Sequence, residues 1–360
     1  MRVLIVSPRA SGIGGVAQHV SKLARELGAR GFEVEVVSVE NTPHVPVKGL
    51  YNPSFAATAA ARAALKRLRG AKFDVAHGHN VPSWPAVRLA PAAARVLTLH
   101  GVFSEQVGML HGPLLGRLSG WFEGRAVRGV DALTCVSRSA CEHYRRMGVD
   151  ARYIPNAVDP RELPGEGLRL YDRQVAYVGR LSREKGFDVL LEAARMVDPS
   201  VHLVVVGSGV RELEERARAL SRELPNFHYL GYRPREEALR VMKGSDLLVL
   251  PSRAEGMPTV LLEAMALRVP ILASRIPGVL DVVDDSCAAL VEPGDPAKLA
   301  AAINRYAFDY PGALVDRAYE RVLAEFSWGR VAGEYVRLYE ELLGARAGRA
   351  DPSPPGPAGS

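Results

Sequence analysis

Short apolar runs that lead through a glycine- or proline-containing turn into a helical segment recur along the whole chain. The clearest is the run Leu-Leu-Val-Leu at residues 247–250, followed by a turn at 251–256 and a helical segment with Pro258 in its first turn. Apolar runs of this length are typical of strands buried on both faces, and proline suits the first turn of a helix. Strands alternating with helices predict a parallel sheet covered on both sides.

Two such series follow each other. The first begins with strands at 3–7 and 34–39, and the second with strands at 174–178 and 201–206. A polar stretch containing proline and glycine, ending at residue 167, separates them and is typical of a domain boundary. We therefore predict an α/β protein of two doubly wound domains, residues 1–166 and 167–327, with a disordered tail at 344–360.

Apolar runs and cysteine content indicate the cellular compartment of the protein. No apolar run approaches the ~18–20 residues of a membrane-spanning helix, and the first apolar segment is too short for a secretory signal. The three cysteines, Cys135, Cys141 and Cys287, show no metal-ligand spacing, and so sparse and odd a number favours a reducing compartment. We expect a cytoplasmic protein.

A glycine-rich turn at residues 11–15 joins the first strand to the first helix. Glycines at such a junction let backbone amides, here those of Gly14 and Gly15, approach a phosphate. Gly12, Gly14 and Ala17 also fit the pattern G-x-G-x-x-A of dinucleotide-binding folds, with Glu40 at the end of the second strand. A tight turn without any ligand would look the same, so these alternatives stay open.

In the second half, polar residues follow three strands at their carboxyl ends, where open α/β sheets bind ligands. Arg180 and Lys185 follow one strand, Gly207 a second, and Glu255 and Glu263 the third. Cationic side chains bind the oxygens of a diphosphate well, and the free amides at a helix start bind anions. Carboxylates beside them suit hydroxyl groups. The pattern therefore predicts a ligand such as a sugar nucleotide.

Histidines end two strands of the first half. His77 and His79 belong to the strand end His-Gly-His-Asn, and His100 follows the strand at 96–99. We expect His100 to contact a ligand, because its position lies where a parallel strand meets its loop. For His77 and His79, a functional and a structural role remain equally open.

Residues 177–193 and 251–266 resemble the family-4, or "group 1", retaining glycosyltransferases with the two-Rossmann-domain GT-B fold. Glu255 and Glu263 match the Glu-x7-Glu pattern of that family. Further matches are the glycine-rich first loop, His100-Gly101, and residues 155–159, 292–296 and 326–328. The resemblance covers about residues 1–343. It implies two domains facing a central cleft, the first binding the acceptor and the second the nucleotide sugar, with the last helix, 328–343, packing back on the first domain.

The resemblance also implies roles. Arg180 and Lys185, with the amides of Gly14 and Gly15, would stabilise the departing diphosphate. Glu255 would hold hydroxyls of the donor sugar, Glu263 would bind the ribose, and His100 would reach the sugar from the acceptor side. Backbone groups would also bind the donor, at Gly207 in the loop after the strand at 201–206 and at Gly256, Met257, Thr259 and Val260 around the start of the helix that contains Glu263.

One loop departs from the family pattern. It usually contains Gly-Gly followed by Pro-Glu, whereas this chain has Ile276-Pro277-Gly278, and we exclude the loop from the predicted site. No Asp-x-Asp element ends a strand, so we expect no metal at the site. We also expect no cofactor. The expected donor substrate is a nucleoside diphosphate sugar of the UDP or GDP type.

The predicted function is transfer of a hexose from a nucleoside diphosphate to an acceptor. The alternative is an NAD(P)-dependent oxidoreductase that uses residues 12–17, but it leaves the Arg180, Lys185, Glu255 and Glu263 set without a role. A nucleic-acid binder would rest on basic charge alone, because no zinc-finger, basic-zipper or RNP pattern is present.

The basic charge is confined to the first half. Residues 1–168 carry 21 Lys and Arg against 13 Asp and Glu, and residues 169–360 carry 25 against 27. The predicted helix at 109–130 also carries Trp121 and Phe122 beside Arg117, Arg125 and Arg128. Cationic and apolar side chains together predict a peripheral contact with an anionic membrane on its inner face, and a lipid-linked acceptor. The alternative is that the apolar side chains pack inward and the arginines merely face solvent.

Overall fold

The computed structural model describes residues 1–11, 14–47, 49–103 and 113–347. The chain divides into two compact units. The first consists of Met1–Val136, Ala140–Ile154 and the chain from Gly329 onward, and the second of Ser137–Ser139 and Pro155–Trp328. Gly12 of the glycine-rich turn, residues 109–112 of the predicted helix at 109–130, and the tail from residue 348 lie outside the described residues.

The first unit is built on a parallel sheet. Its elements in chain order are β1 (Arg2–Val6), α1 (Gly15–Ala29), β2 (Glu33–Val37), α2 (Tyr51–Leu68), β3 (Phe73–His79), α3 (Trp84–Leu89), β4 (Ala92–Leu99), α4 (Pro113–Arg128), β5 (Ala132–Cys135), α5 (Arg138–Arg146) and β6 (Ala151–Tyr153). The strand order is β2-β1-β3-β4-β5-β6. Val3, Leu4, Ile5 and Val6 are fully buried, as expected for a strand covered on both faces.

The second unit contains another six-stranded parallel sheet. Its elements are β7 (Gln174–Val178), α6 (Phe187–Ala193), β8 (His202–Val206), α7 (Arg211–Glu223), β9 (Phe227–Gly231), α8 (Arg235–Lys243), β10 (Leu247–Leu250), α9 (Thr259–Ala266), β11 (Ile271–Ser274), α10 (Pro277–Leu280), β12 (Ala289–Val291), α11 (Pro296–Tyr306) and α12 (Gly312–Glu325). The strand order is β12-β11-β10-β7-β8-β9. The predicted fold class of two doubly wound α/β domains is confirmed.

The division between the units differs from the predicted boundary at 166/167. Residues from Pro155 onward belong to the second unit, because Asn156 bonds to Met257 and Val158 pairs with Ser327. The last helix, α13 (Trp328–Ala347), extends four residues into the segment predicted to be disordered, and from Gly329 it belongs to the first unit. In the described ranges, no helix combines the length and apolarity that crossing a membrane requires.

Candidate functional site

The strand order of the second sheet brings two loops together. β10 pairs with β7, although β8 and β9 lie between them along the chain. β7 is the first strand of the unit and has β8 on its other side, so the chain reverses its direction of winding between β7 and β10. The loops after these strands therefore flank the switch point, where doubly wound sheets bind ligands. Arg180 and Lys185 lie in one loop and Glu255 in the other.

An ion pair joins these two loops. The ammonium nitrogen of Lys185 lies 2.5 Å from Oε2 of Glu255, and the hydroxyl of Ser252 donates to Oε1 at 2.7 Å. The Glu255 side chain is 4% exposed, so its charge needs these partners. Lys185 is 24% exposed and has three donors, of which Glu255 takes one. Glu255 therefore holds the ammonium group of Lys185 at the switch point, with two of its N–H donors left for a ligand.

Two glycines allow the close approach of neighbouring loops. Gly186 has φ +62°, and a Cβ there would stand 1.9 Å from the carbonyl oxygen of Pro251. Gly207, which the sequence predicts as a donor-binding residue, has φ +147°, and a Cβ there would stand 1.8 Å from the carbonyl oxygen of Gly179. Backbone packing alone thus requires glycine at both positions.

Arg180 has a different partner from Lys185. Its guanidinium pairs with Glu184 at 2.8 Å, and its side chain is 56% exposed. The same loop is anchored by Arg253, which binds Asp188 through both terminal nitrogens at 2.6 and 2.9 Å. Burial raises the pKa of Asp188, but the hydrogen bonds and charge of Arg253 outweigh it and leave that pKa lowered. The loop that carries Lys185 is therefore fixed by ion pairs at both ends.

Glu263 lies inside α9 and is paired with a residue that the sequence analysis did not single out. Its Oε1 accepts from Arg235 at 2.6 Å. Burial raises the pKa of the Glu263 carboxyl, while the nearby guanidinium opposes that effect. The structure shows no contact between Glu263 and Glu255, so the two glutamates occupy separate ion pairs.

The start of α9 presents backbone donors. Across the described ranges, the amides of Thr259 and Val260 donate to no protein acceptor, and both residues are half-buried. Met257 is buried, and its carbonyl accepts from the side-chain amide of Asn156 at 3.1 Å. Unpaired amides at a helix start bind anions, so this helix start can take a phosphate.

In the first unit, the carboxyl ends of β3 and β4 carry a histidine cluster. Nδ1 of His79 lies 3.2 Å from Nε2 of His100, and the ring of His19 on α1 lies edge-on to His100 with centroids 5.0 Å apart. His77 is bound on both ring nitrogens, by Tyr339 at 2.7 Å and Thr98 at 2.6 Å, so its position is structural. Among the described residues, none bonds to Nδ1 of His100, so this nitrogen can bind a ligand.

The imidazoles of His77, His79 and His100 are neutral near pH 7, because each has a lowered pKa. Burial lowers the pKa of His77 to about 3, helped by the nearby His19. Burial and the neighbouring histidines also hold the pKa of His79 and of His100 well below the usual value. A neutral imidazole can exchange hydrogen bonds with a hydroxyl, or ligate a metal. Within the described residues, His19, His79 and His100 form the one group of three such ligands, with nitrogens within 4.8 Å of one another.

Glu40 lies three residues beyond the end of β2, and its carboxylate is already bound by the protein. Its carboxylate accepts from the backbone amides of Ala10 and Ser11, at 3.1–3.3 Å, and from the Ser11 hydroxyl. Burial raises the pKa of Glu40, but these bonds and those of Ser38 leave it lowered. Gly14, with φ +121°, precedes α1, and Gly15 begins it. Glu40 therefore holds the glycine-rich loop itself.

Two sequence profiles match the chain. The profile described as "Glycosyl transferases group 1" matches residues 160–319, and that described as "Glycosyltransferase Family 4" matches residues 13–162. TuaC of Bacillus subtilis, named a glycosyltransferase of teichuronic acid biosynthesis, is 31% identical over 289 residues, which cover 75% of this chain and 71% of TuaC. The chain belongs to the group 1 glycosyltransferases.

Solved structures show that this glycosyltransferase shares the GT-B fold. It resembles sucrose-phosphate synthase from Thermosynechococcus elongatus with a TM-score of 0.76 and 23% identity, covering 96% of this chain and 99% of that one. It also resembles HepE of Anabaena in complex with UDP and glucose, with a TM-score of 0.72 and 17% identity over 95% and 100% of the chains. The oxidoreductase alternative finds no support.

Several residues of the glycosyltransferase site were missed by sequence reasoning. Arg235 and Ser252 are partners of the two glutamates, and His19 belongs to the histidine cluster. Gly278 lies in the loop that was excluded, yet a Cβ there would stand 2.2 Å from the carbonyl oxygen of Glu255. Gly278 was therefore the sequence signal that this loop packs against the backbone of Glu255 and belongs to the site.

Proposed function

We propose that this glycosyltransferase moves a hexose from a UDP- or GDP-type nucleoside diphosphate sugar to an acceptor, with retention of the anomeric configuration. The observation that carries the proposal is the Lys185–Glu255 pair at the switch point of the second sheet. The ammonium group keeps two donors for phosphate oxygens, and the amides of Thr259 and Val260 are a second source of donors. The UDP bound to HepE supports this choice of ligand.

The chemistry follows from the charges. The bond between the sugar C1 and the β-phosphate oxygen breaks, and C1 forms a bond to the acceptor oxygen on the same face. The departing phosphate takes the acceptor proton. Lys185 stabilises the negative charge that develops on the diphosphate, and Arg180 adds a second cation. Glu255 fixes Lys185 and holds sugar hydroxyls, rather than acting as a nucleophile. His100, whose imidazole is neutral, binds a sugar hydroxyl through Nδ1.

In this proposal, protein cations take the part that a divalent metal plays elsewhere, so neither a metal nor a cofactor is needed. Glu263 binds the ribose hydroxyls of the donor, and Gly256 and Met257 contribute backbone contacts. The anomeric configuration of the product, measured by NMR during the reaction, tests retention. A product of inverted configuration would contradict the same-face route.

A thermal-shift panel of nucleotides tests the donor class. UDP or GDP is expected to raise the melting temperature, because a ligand that binds only the folded state stabilises it. Chelator is included in every sample to test the independence from metal. Stabilisation by NAD(P) but by neither UDP nor GDP would overturn the proposed donor.

We also propose that the enzyme contacts an anionic membrane and glycosylates a lipid-linked acceptor. Leu114, Leu118 and Trp121 are 79%, 66% and 64% exposed, and their spacing places them on one face of α4. This observation supports the membrane interpretation over inward packing. In contrast, Arg62 of α2 donates a hydrogen bond to Asn41, and Lys66 of α2 forms an ion pair with Glu35. We therefore place the membrane contact on α4.

Co-sedimentation with vesicles tests the membrane contact. Binding to anionic but not to neutral vesicles is expected, and high salt should abolish it because salt screens exposed charges. Failure to pellet with anionic vesicles at low salt would contradict the contact without affecting the donor proposal.

A further inference from the structure

A cleft of about 450 Å³ lies in the first unit beside the second half of α4. Arg88 of α3 and Arg125 and Arg128 of α4 line it together with Trp121 and Met147. No acidic side chain lines the cleft, and the described residues place no carboxylate within ion-pairing distance of the three arginines. Three guanidinium groups around one space, without a counter-charge, favour an anion there.

The arginines are held in place by contacts that do not use up their donors. Arg128 donates to the carbonyl oxygens of Gly124 at 3.1 Å and Met147 at 2.9 Å. Arg125 lies over the ring of Trp121 with a distance of 5.3 Å to the centroid. Because a guanidinium carries five N–H donors, each arginine retains several for a ligand. Planar guanidinium groups match the oxygens of phosphate well.

A second observation comes from Trp84, which is 7% exposed. Its indole Nε1 is buried and has no hydrogen-bond partner. Gly129 lines the cleft, and a Cβ there would stand 2.7 Å from this nitrogen, so only glycine leaves room beside the N–H. Trp84 does not itself line the cleft, but Arg88 lies over its ring with a distance of 5.6 Å to the centroid, so the indole lies directly beside the cleft and can report on its occupancy.

The cleft is separate from the histidine cluster. Gly129 precedes β5 and Met147 precedes β6, so both lie towards the amino ends of parallel strands. His100, in contrast, follows the carboxyl end of β4. A ligand of the cleft therefore does not occupy the position predicted for the sugar.

We propose that this cleft binds the phosphate group of an anionic phospholipid. Lipid is favoured over a soluble phosphate because Trp121 belongs both to the cleft and to the exposed apolar face formed with Leu114 and Leu118. Acyl chains would contact that face while the headgroup phosphate lies between the arginines. The inference rests on the membrane contact proposed above and adds to it a defined phosphate site.

Indole NMR signals of the full-length protein test the site directly. The chain has three tryptophans, Trp84, Trp121 and Trp328. Titration with a soluble short-chain phosphatidic acid should shift the signals of Trp84 and Trp121 and leave that of Trp328 unchanged. Unchanged signals of Trp84 and Trp121 would overturn the proposal. Inorganic phosphate is the comparison: equal affinity for it would overturn the assignment to lipid.

Paired charge variants separate a defined site from diffuse attraction. The double variant R88Q/R125Q removes two charges from the cleft, and R69Q/K72Q removes two exposed charges of the first unit that lie outside α4. The cleft variant should bind anionic vesicles at least ~10-fold more weakly than the control variant, because charge-assisted hydrogen bonds exceed diffuse attraction. Equal weakening would overturn the site while leaving membrane contact intact. Transfer to a soluble acceptor should be unchanged in both variants, which separates this test from that of the transfer reaction.

Discussion

The two sheets end in different chemistry, although both are six-stranded, parallel and doubly wound. The carboxyl edge of the first sheet carries neutral imidazoles, those of the buried His77 and His79 and of the half-buried His100. The carboxyl edge of the second carries the ion pairs Lys185–Glu255 and Arg235–Glu263. The first can exchange hydrogen bonds with hydroxyls, and the second can stabilise a changing negative charge.

This difference shows that the fold alone does not determine which kind of ligand each sheet binds. Strand order determines which loops meet, but the residue types in those loops determine what they bind. On this account, substitutions in the second sheet's edge affect charge stabilisation and those in the first affect hydrogen bonding and its pH dependence. Each prediction below tests one side of that contrast.

The largest effect is expected for Lys185→Ala. Loss of one charge that stabilises a leaving group typically costs ~10²–10³ in kcat. Arg183→Ala is the matched control, because Arg183 lies in the same loop but is 71% exposed and 3.5 Å from Glu212. Steady-state kinetics with the donor should show a change of no more than about twofold for the control. A similarly small change for Lys185→Ala would remove the diphosphate role.

A smaller effect is expected for His77, at the carboxyl edge of the first sheet, on the pH dependence of the free energy of unfolding. His77 has a pKa of about 3 in the folded protein, lowered by burial, against 6.5 for an ordinary histidine. The unfolded chain therefore binds more protons below pH 6.5, and the free energy of unfolding falls as the pH falls. At pH 5 this amounts to ~2 kcal/mol for one such histidine.

His77→Gln should therefore reduce the pH dependence. Urea denaturation at pH 7.5 and pH 5 should show a loss of unfolding free energy about 2 kcal/mol smaller in the variant than in the wild type. The variant serves as its own control, since any general destabilisation appears at both pH values. Equal losses in the two proteins would mean that His77 is not kept neutral by burial.

The smallest effect is expected for Glu263→Gln, which keeps the shape of the side chain. Loss of a charged acceptor for ribose hydroxyls should raise the Kd of UDP or GDP ~10-fold with little change in kcat. Glu236→Gln, at an exposed position of α8, is the control. Calorimetric titration showing wild-type affinity in Glu263→Gln would reduce Glu263 to the structural partner of Arg235.

Much of the fold was predictable because each central strand is an apolar run followed by a turn, as at β10. The elements that sequence reasoning missed have weak local signals. β6 and β12 have three residues each, and α12 buries only Ala318 and Val322. Such elements are fixed by the neighbours they pack against, which no local pattern reveals.

The candidate site was predictable only in part. Spacing identified Glu255 and Glu263, but their partners Lys185 and Arg235 lie 70 and 28 residues away along the chain. Such pairs form only when particular strands are adjacent in the sheet, and the local pattern of apolar residues does not reveal the strand order. His19 lies within α1, where nothing in the helical pattern distinguishes it from a core residue.

A transfer assay tests the central claim most directly. Wild-type enzyme and Lys185→Ala are incubated with a panel of radiolabelled nucleoside diphosphate sugars and a membrane extract as the source of acceptor. The account predicts that label from a UDP or GDP sugar enters the acceptor fraction with wild-type enzyme, and at a rate ~10²–10³ lower with the variant. Equal rates for the two proteins, or no transfer by the wild type from any sugar of the panel, would contradict it.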